Sequence, residues 1–313
     1  CKYYIATIDY LQGDYRPALA SFLELAEAED YTFRASCRAA DIYLKTKHYA
    51  QAAERCPAEG PSPAERAAMP ASELTQMEAE PQRIRGEALF HLGRYAEAAG
   101  ILERYAAQVE SPSREALYAL GTSYLECSAP MQAEQALGRA LQGRTDDALA
   151  QSIYLKQGHA CLALQEPQKA RAAFEKAAAL PHDAQVREEA AFNIALASHE
   201  DKNETYAARA AEWERFLQEY PESAYRSRAT GYLAELYLND FPAEEALGRL
   251  RATSEGDSSL LRAHQIVAAR MGIAAVREKR PEALALLEES IRIGIDPETQ
   301  TQALYWRGEA HYQ

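Results

Sequence analysis

The stretch GDYRPALASF, residues 13–22, sets a small residue before an aromatic, then an alanine three residues on and a bulky apolar residue four beyond that. The aromatic of this stretch is Tyr15, its alanine is Ala18 and its bulky residue is Phe22. Tyr49, Ala52 and Cys56 repeat the spacing 34 residues later. Outward from these two copies the pattern returns as Gly86, Leu89, Gly93-Arg94-Tyr95, Ala98 and Leu102, then as Leu120-Gly121, Tyr124, Ala133, Leu137 and Ala140. A fifth copy reads Gly158, Cys161, Ala170, Phe174 and Ala177.

Looser copies follow. One runs through Phe192 to Ala195, Tyr206, Trp213 and Phe216, with a lengthened loop at 199–205 and Arg209 where alanine is expected. Another uses Leu233-Ala234, Tyr237, Ala246 and Leu250, and an eighth uses Met271, Ala283 and Leu287. A ninth opens at Ala303 with Tyr305 and Gly308. Small residues at such positions let helix axes approach to about 8 to 10 Å, and glycine inside a helix, at a cost of roughly 1 kcal/mol, needs close packing in return. Gly86, Gly121, Gly158 and Gly308 are read in that way.

The pattern resembles the tetratricopeptide repeat family across essentially the whole chain, with a 34-residue unit of two antiparallel helices. The resemblance implies an all-α, right-handed superhelical solenoid of about eight repeats plus a terminal half repeat. The expected organisation is two repeats in 1–56, a Pro-rich insertion with a short helix in 57–81, and repeats three to eight with half of a ninth in 82–313, all one continuous solenoid. Tyr49 to Tyr95 is 46 residues, 12 more than the period, and Pro57, Pro61, Pro63, Pro70 and Pro81 crowd that interval. Ser62-Pro63-Ala64-Glu65 reads as a helix start with a capping box.

Composition narrows the function. Asp and Glu number 47 against 34 Lys and Arg, a net charge of -13 that repels a phosphate backbone, so nucleic acid is not expected as a partner. Nothing approaches 18 consecutive apolar residues, so direct membrane insertion is not expected. The five cysteines are scattered and never form C-x-x-C, and the seven histidines never pair at metal spacing, so no cofactor and no metal are expected. Phosphate-loop, zincin and nucleophile-elbow motifs are absent from the sequence, which argues against an enzyme and a small-molecule substrate. His199-Glu200-Asp201 reads as a solvated turn, and Asn203-Glu204-Thr205 fits a glycosylation acceptor that matters only in a secreted eukaryotic protein.

Stacked first helices in this family line a concave groove, so the resemblance implies a protein or peptide partner. Carrying the family's groove positions onto this chain gives Tyr3, Tyr10, Arg34, Asp41, Lys45, Arg83, Glu87, Phe90, Tyr118, Thr122, Glu126 and His159 as partner-binding candidates, with Thr7 and Phe192 beside them. The two-carboxylate clamp of the chaperone-binding members has Lys and Asn where this chain has Tyr3 and Thr7, so that activity is not implied.

Trp213 to Tyr225, WERFLQEYPESAY, resembles repeats of bacterial outer-membrane assembly lipoproteins and periplasmic coordinators. It implies a periplasmic or outer-membrane-associated scaffold in envelope assembly, the alternative location being cytoplasmic. Cys1 could be the lipid-bearing end of a lipoprotein, but the repeats begin too close to it, and a fragment boundary continuing into further repeats is expected. The alternative function is a docking or sensing arm for an effector domain, such as a kinase, transferase or transcription regulator, outside these residues.

Overall fold

The structure is a computed structural model that describes residues 2–28 and 31–312, the side chains of residues 71 and 72 excepted. Its described residues form 18 α-helices and no strand, gathered into two compact units, Cys1–Asp183 and Ala184–Gln313. The first unit pairs α1 (Lys2–Gln12) with α2 (Tyr15–Leu25) and α3 (Thr32–Lys45) with α4 (Tyr49–Arg55). A short α5 (Pro63–Ala67) follows; then α6 (Ala71–His91) pairs with α7 (Tyr95–Gln108), α8 (Arg114–Glu126) with α9 (Pro130–Ala140), and α10 (Ala148–Ala163) with α11 (Pro167–Ala179). The second unit pairs α12 (Ala184–Glu200) with α13 (Tyr206–Glu219), α14 (Arg226–Asn239) with α15 (Ala243–Thr253), and α16 (Ser258–Arg277) with α17 (Ala283–Ile293), and adds α18 (Pro297–Tyr312). Within the first unit α3 packs on α6, α6 on α8 and α8 on α10; within the second α14 packs on α16 and α16 on α18.

Four pairs close on a glycine in the first helix and a large residue in the second. A Cβ added at Gly86 would stand 2.5 Å from Leu102 Cγ, at Gly121 2.6 Å from Leu137 Cγ, and at Gly158 2.3 Å from the Phe174 ring. Gly272 does the same at 2.8 Å from Leu287, although the sequence pattern had drawn attention to its neighbour Met271 instead. Gly308 lies in the terminal half repeat, and among the described residues nothing lies within 4 Å of its Cβ position. Ala18, Ala52, Ala98, Ala133, Ala170 and Ala246 are fully buried. In α13 the small position belongs to buried Ala210, one residue beyond Arg209, so the sixth repeat shifts its register rather than losing its alanine.

Six of the eight turns within pairs share one geometry. Gly13, Lys47, Gly93, Ser128, Gln165 and Lys279 all take positive φ, between 56° and 86°. The residue after each donates its N–H back five positions, as in His48 N to Tyr43 O (2.8 Å) and Glu166 N to Cys161 O (2.9 Å). That is the Schellman closure of a helix end, and a non-glycine residue in the left-handed region costs about 1–2 kcal/mol. The α12 end differs from its expected reading as a solvated turn. The helix runs to Glu200, and the His199 ring packs 5.0 Å from Tyr232 while its Nδ1 accepts from Trp213 Nε1 at 3.4 Å.

Buried glutamines and charged groups latch the loops between pairs. Gln151 of α10 donates to Ala177 O, Leu180 O and Asp183 O and accepts from Asp183 N. Gln265 of α16 likewise accepts from Ile295 N and Asp296 N and donates to Asp296 O. Glu65 forms the capping box of α5 with Ser62, and its Oε1 also accepts from Phe33 N and Arg34 N, where the N-cap Tyr31 offers no side-chain cap. The proline-rich stretch is thereby tied to the start of α3, and Pro81 lies inside α6, unable to supply a backbone donor there.

The close approaches give a direct contrast. Gly158→Ala drives a methyl into a buried ring and should destabilise the first unit by about 1–3 kcal/mol. Gly308→Ala meets open space and should be neutral or stabilising by up to about 1 kcal/mol through helix propensity. Urea denaturation followed by circular dichroism of both variants measures the difference.

Candidate functional site

The sequence-derived groove residues come together chiefly on α1, α3 and α6. Arg83 of α6 is the hub: its Nη2 donates to Asp41 Oδ1 (2.5 Å) and Glu80 Oε1 (2.6 Å), its Nε to Glu80 Oε2 (3.0 Å), and its Nη1 to both Glu87 oxygens (3.1 Å). Tyr10 of α1 donates its hydroxyl to the other Asp41 oxygen at 2.5 Å, and Lys45 stands 4.0 Å from that oxygen. Asp41 and Glu87 are buried, and Arg83 is mostly covered. One guanidinium therefore satisfies carboxylates from two helices, while Tyr10 ties in a third.

Electrostatics follow from that burial. Burial works to raise the Asp41 pKa, but the Arg83 charge and hydrogen bonds from Tyr10 and Arg83 outweigh it and hold the carboxyl below its ordinary range. Glu87 goes the other way: burial first, with Asp41 and Glu80 adding repulsion, pushes it up to about 7 against the pull of Arg83. Burial and the hydrogen bond to Asp41 raise the Tyr10 phenol. Arg83 is held charged because Glu80, Glu87 and Asp41 together overcome its own desolvation.

Around the hub, other cations lie on rings. The Arg34 guanidinium sits 4.8 Å from the Tyr3 ring centre and Arg38 sits 5.3 Å from that of Tyr10. Tyr3 is itself buried against Phe22 and stacked on Tyr31 at 5.2 Å. Among the described residues neither Arg34 nor Arg38 makes a salt bridge. Arg38, Cys37, Glu73, Gln76, Met77 and Glu80 line a cavity of about 240 Å³ between α3 and α6. Arg38 escaped the sequence reading, although its spacing of four from Arg34 puts the two on one helical face.

The remaining candidates are dispersed. Phe90 and Tyr118 meet edge to face at 6.2 Å between α6 and α8, Thr122 is buried in α8 and Glu126 is exposed at its end. The His159 ring packs on Phe174 at 5.4 Å within the α10–α11 pair. Thr7 bonds its own helix at Tyr3 O, and Phe192 is buried in the second unit. Cys1 lies outside the described residues.

Two other constellations were invisible in sequence because their members are far apart along the chain. Ser254 Oγ lies 3.0 Å from His264 Nδ1, and His264 Nε2 lies 2.8 Å from Glu289 Oε1, an order superficially like a nucleophile, a base and its orienting acid. Arg251 grips both Glu289 oxygens, and Ser254 is 3% exposed, so the chain braces α15, α16 and α17 rather than presenting a nucleophile. Cys161, Glu134 and Glu166 bring their sulfur and oxygens within 4.8 Å of one another. Burial and the two carboxylates push the Cys161 thiol up to about 11, and Lys169 pairs with Glu166 at 2.9 Å.

No protein-family model matches the sequence, and no curated protein matches it. Solved structures do. The C-terminal part of a TPR repeat-containing protein from Cytophaga hutchinsonii superposes with a TM-score of 0.51 at 14% identity, covering 96% of this chain and 99% of that one. The fold is that of the tetratricopeptide repeat proteins. A tetratricopeptide repeat protein from Parabacteroides merdae matches at TM-score 0.45 and 15% identity, over 88% of this chain and 98% of that one. YrrB, described as a TPR protein with an unusual peptide-binding site, matches at 0.42 and 16% identity, over 75% and 94%. No helix of the described residues is long and apolar enough to cross a membrane.

The Glu87 environment sets a pH dependence. Between its ordinary 4.5 and about 7, folded Glu87 keeps a proton that the unfolded chain has lost. Its contribution is therefore full below about 4.5 and is lost as pH rises through 7, whereas Asp41 contributes above the ordinary carboxylate range and is lost on acidification. Glu87→Gln should remove the decline on raising pH from 5 to 8, a difference on the order of 1–3 kcal/mol between the two proteins in urea midpoints taken at both pH values.

Proposed function

We propose that the chain is a non-catalytic protein-interaction scaffold that holds a peptide or helix of a partner protein against the α1–α3–α6 face. The supporting observation is the pair Arg34 and Arg38, set over the Tyr3 and Tyr10 rings, with Arg38 lining the cavity and neither engaged in a salt bridge among the described residues. Arginine and tyrosine in that arrangement supply both a rigid apolar plane and oriented donors, the combination enriched at binding hot spots. A carboxylate-bearing segment fits these donors, because Asp41, Glu80 and Glu87 are already engaged by Arg83, leaving Glu73 as the cavity acid that Arg83 does not hold. Asp41, Arg83 and Glu87 shape the face from beneath, and Phe90 and Tyr118 extend its apolar part.

We further propose a bacterial envelope setting, periplasmic or outer-membrane-associated, in which this face organises an assembly partner. Its support is the resemblance of Trp213 to Tyr225 to envelope repeats. In this chain those residues pack: Trp213 and Phe216 are buried, and Phe192 stacks on Tyr225 at 4.8 Å.

Affinity capture from the source cell, with the native chain and an Arg34→Glu/Arg38→Glu variant of unchanged helicity, tests the reading. The expected result is a partner retained by the native chain and reduced at least tenfold by the variant. Equal retention by both would remove this face from consideration, and an Arg292→Glu control should leave capture unaltered.

A further inference from the structure

Cys161 of α10 buries its thiol beside two carboxylates. The residue is 5% exposed, its sulfur takes part in no hydrogen bond among the described residues, and Sγ and one oxygen each of Glu134 and Glu166 lie within 4.8 Å of one another. Glu166 is the N-cap residue of α11, but its side chain caps nothing. Its N–H donates to Cys161 O at 2.9 Å across the left-handed Gln165, so the tight turn itself holds the acid near the thiol. Glu134 arrives from α9, which packs on α10.

The repeat does not require this grouping. Turns of the same geometry place Tyr43 and His48, Leu89 and Arg94, or Tyr124 and Ala129 at the positions of Cys161 and Glu166. Glu134 makes no salt bridge or hydrogen bond among the described residues, and Glu166 Oε2 is buried without a hydrogen-bond donor. Lys169 Nζ lies 2.9 Å from that oxygen, but its side chain is 63% exposed, and a surface pair of this kind opens at little cost. A carboxylate oxygen buried without a donor is an expensive arrangement that a cation relieves.

We propose that Cys161, Glu134 and Glu166 bind a divalent ion of the zinc class. The thiolate selects a borderline-soft ion over magnesium or calcium, and the two carboxylates complete three protein ligands, leaving a fourth position to water. Tetrahedral bonds of about 2.0–2.3 Å hold donors about 3.5 Å apart, a separation the partly buried glutamates reach by closing about 1 Å. Binding exchanges the thiol proton for the metal, so one proton leaves for each ion bound. With ligands from α9, α10 and α11, the ion ties the α8–α9 pair to the α10–α11 pair. The site is separate from the arginine-bearing α1–α3–α6 face and does not depend on that reading.

The test titrates Co2+ into the full 313-residue chain, reduced and freed of metal, and reads the thiolate-to-cobalt charge-transfer absorption. The band is expected to saturate at one equivalent, to be abolished by Zn2+ and to survive an excess of Mg2+. Cys161→Ser should lose it, and Glu134→Gln or Glu166→Gln should weaken binding at least about tenfold. Cys127→Ser, which removes the exposed thiol, should change nothing. Circular dichroism checks the fold of each variant, and the glutamine substitutions, at partly exposed positions, test the site even where the buried serine is not tolerated. Absence of the band in the native chain would overturn the proposal. So would a band that survives Cys161→Ser, which places the ion on another thiol, or binding indifferent to both glutamates, which leaves a simple thiol adduct.

Discussion

A large side chain seated on a glycine or alanine is the constraint from which the rest of this structure follows. Leu102 on Gly86, Leu137 on Gly121, Phe174 on Gly158 and Leu287 on Gly272 bring two helix backbones together where any side chain on the first would hold them apart. Once the backbones are that close, the connecting turn has few conformations left. The left-handed residue recurs even where it is Lys47, Ser128, Gln165 or Lys279 and the conformation is costly. The paired helices then present faces that only a neighbouring pair can bury, which is why the repeats stack.

The first unit adds a second layer of constraint where its period is broken. The extra residues between the second and third repeats lengthen α6, and Arg83 on it reaches Asp41 on α3. Glu65 reaches back in turn to the start of α3. The break in the repeat is thus bridged by polar groups that are buried and therefore must be paired. The same bracing leaves Arg34 and Arg38 lying on tyrosine rings, so a structural solution for the irregular repeat also shapes the surface proposed to meet a partner.

Much of the fold was legible because its determinant is periodic: small, aromatic, alanine and bulky residues recur at spacings a helix pair imposes. The capping box at Ser62 and Glu65 was legible for the same local reason. What was not legible depends on contacts between distant segments. The family resemblance put Arg83, Asp41 and Glu87 on the face of the first helices, but it could not show that they neutralise one another. The second role of Glu65, accepting from Phe33 N 32 residues away, leaves no local trace. The site reading is correspondingly less complete than the fold reading, since recognition depends on which side chains remain unengaged after packing.

The small-under-large account is tested most directly by a double-mutant cycle on Gly121 and Leu137, read by urea denaturation. Gly121→Ala alone should destabilise, and it should cost far less in a Leu137→Ala background, giving a coupling of at least about 1 kcal/mol between the two sites. Additive effects, with no coupling beyond about 0.3–0.5 kcal/mol, would mean that the glycine does not act through the side chain above it and would contradict the account.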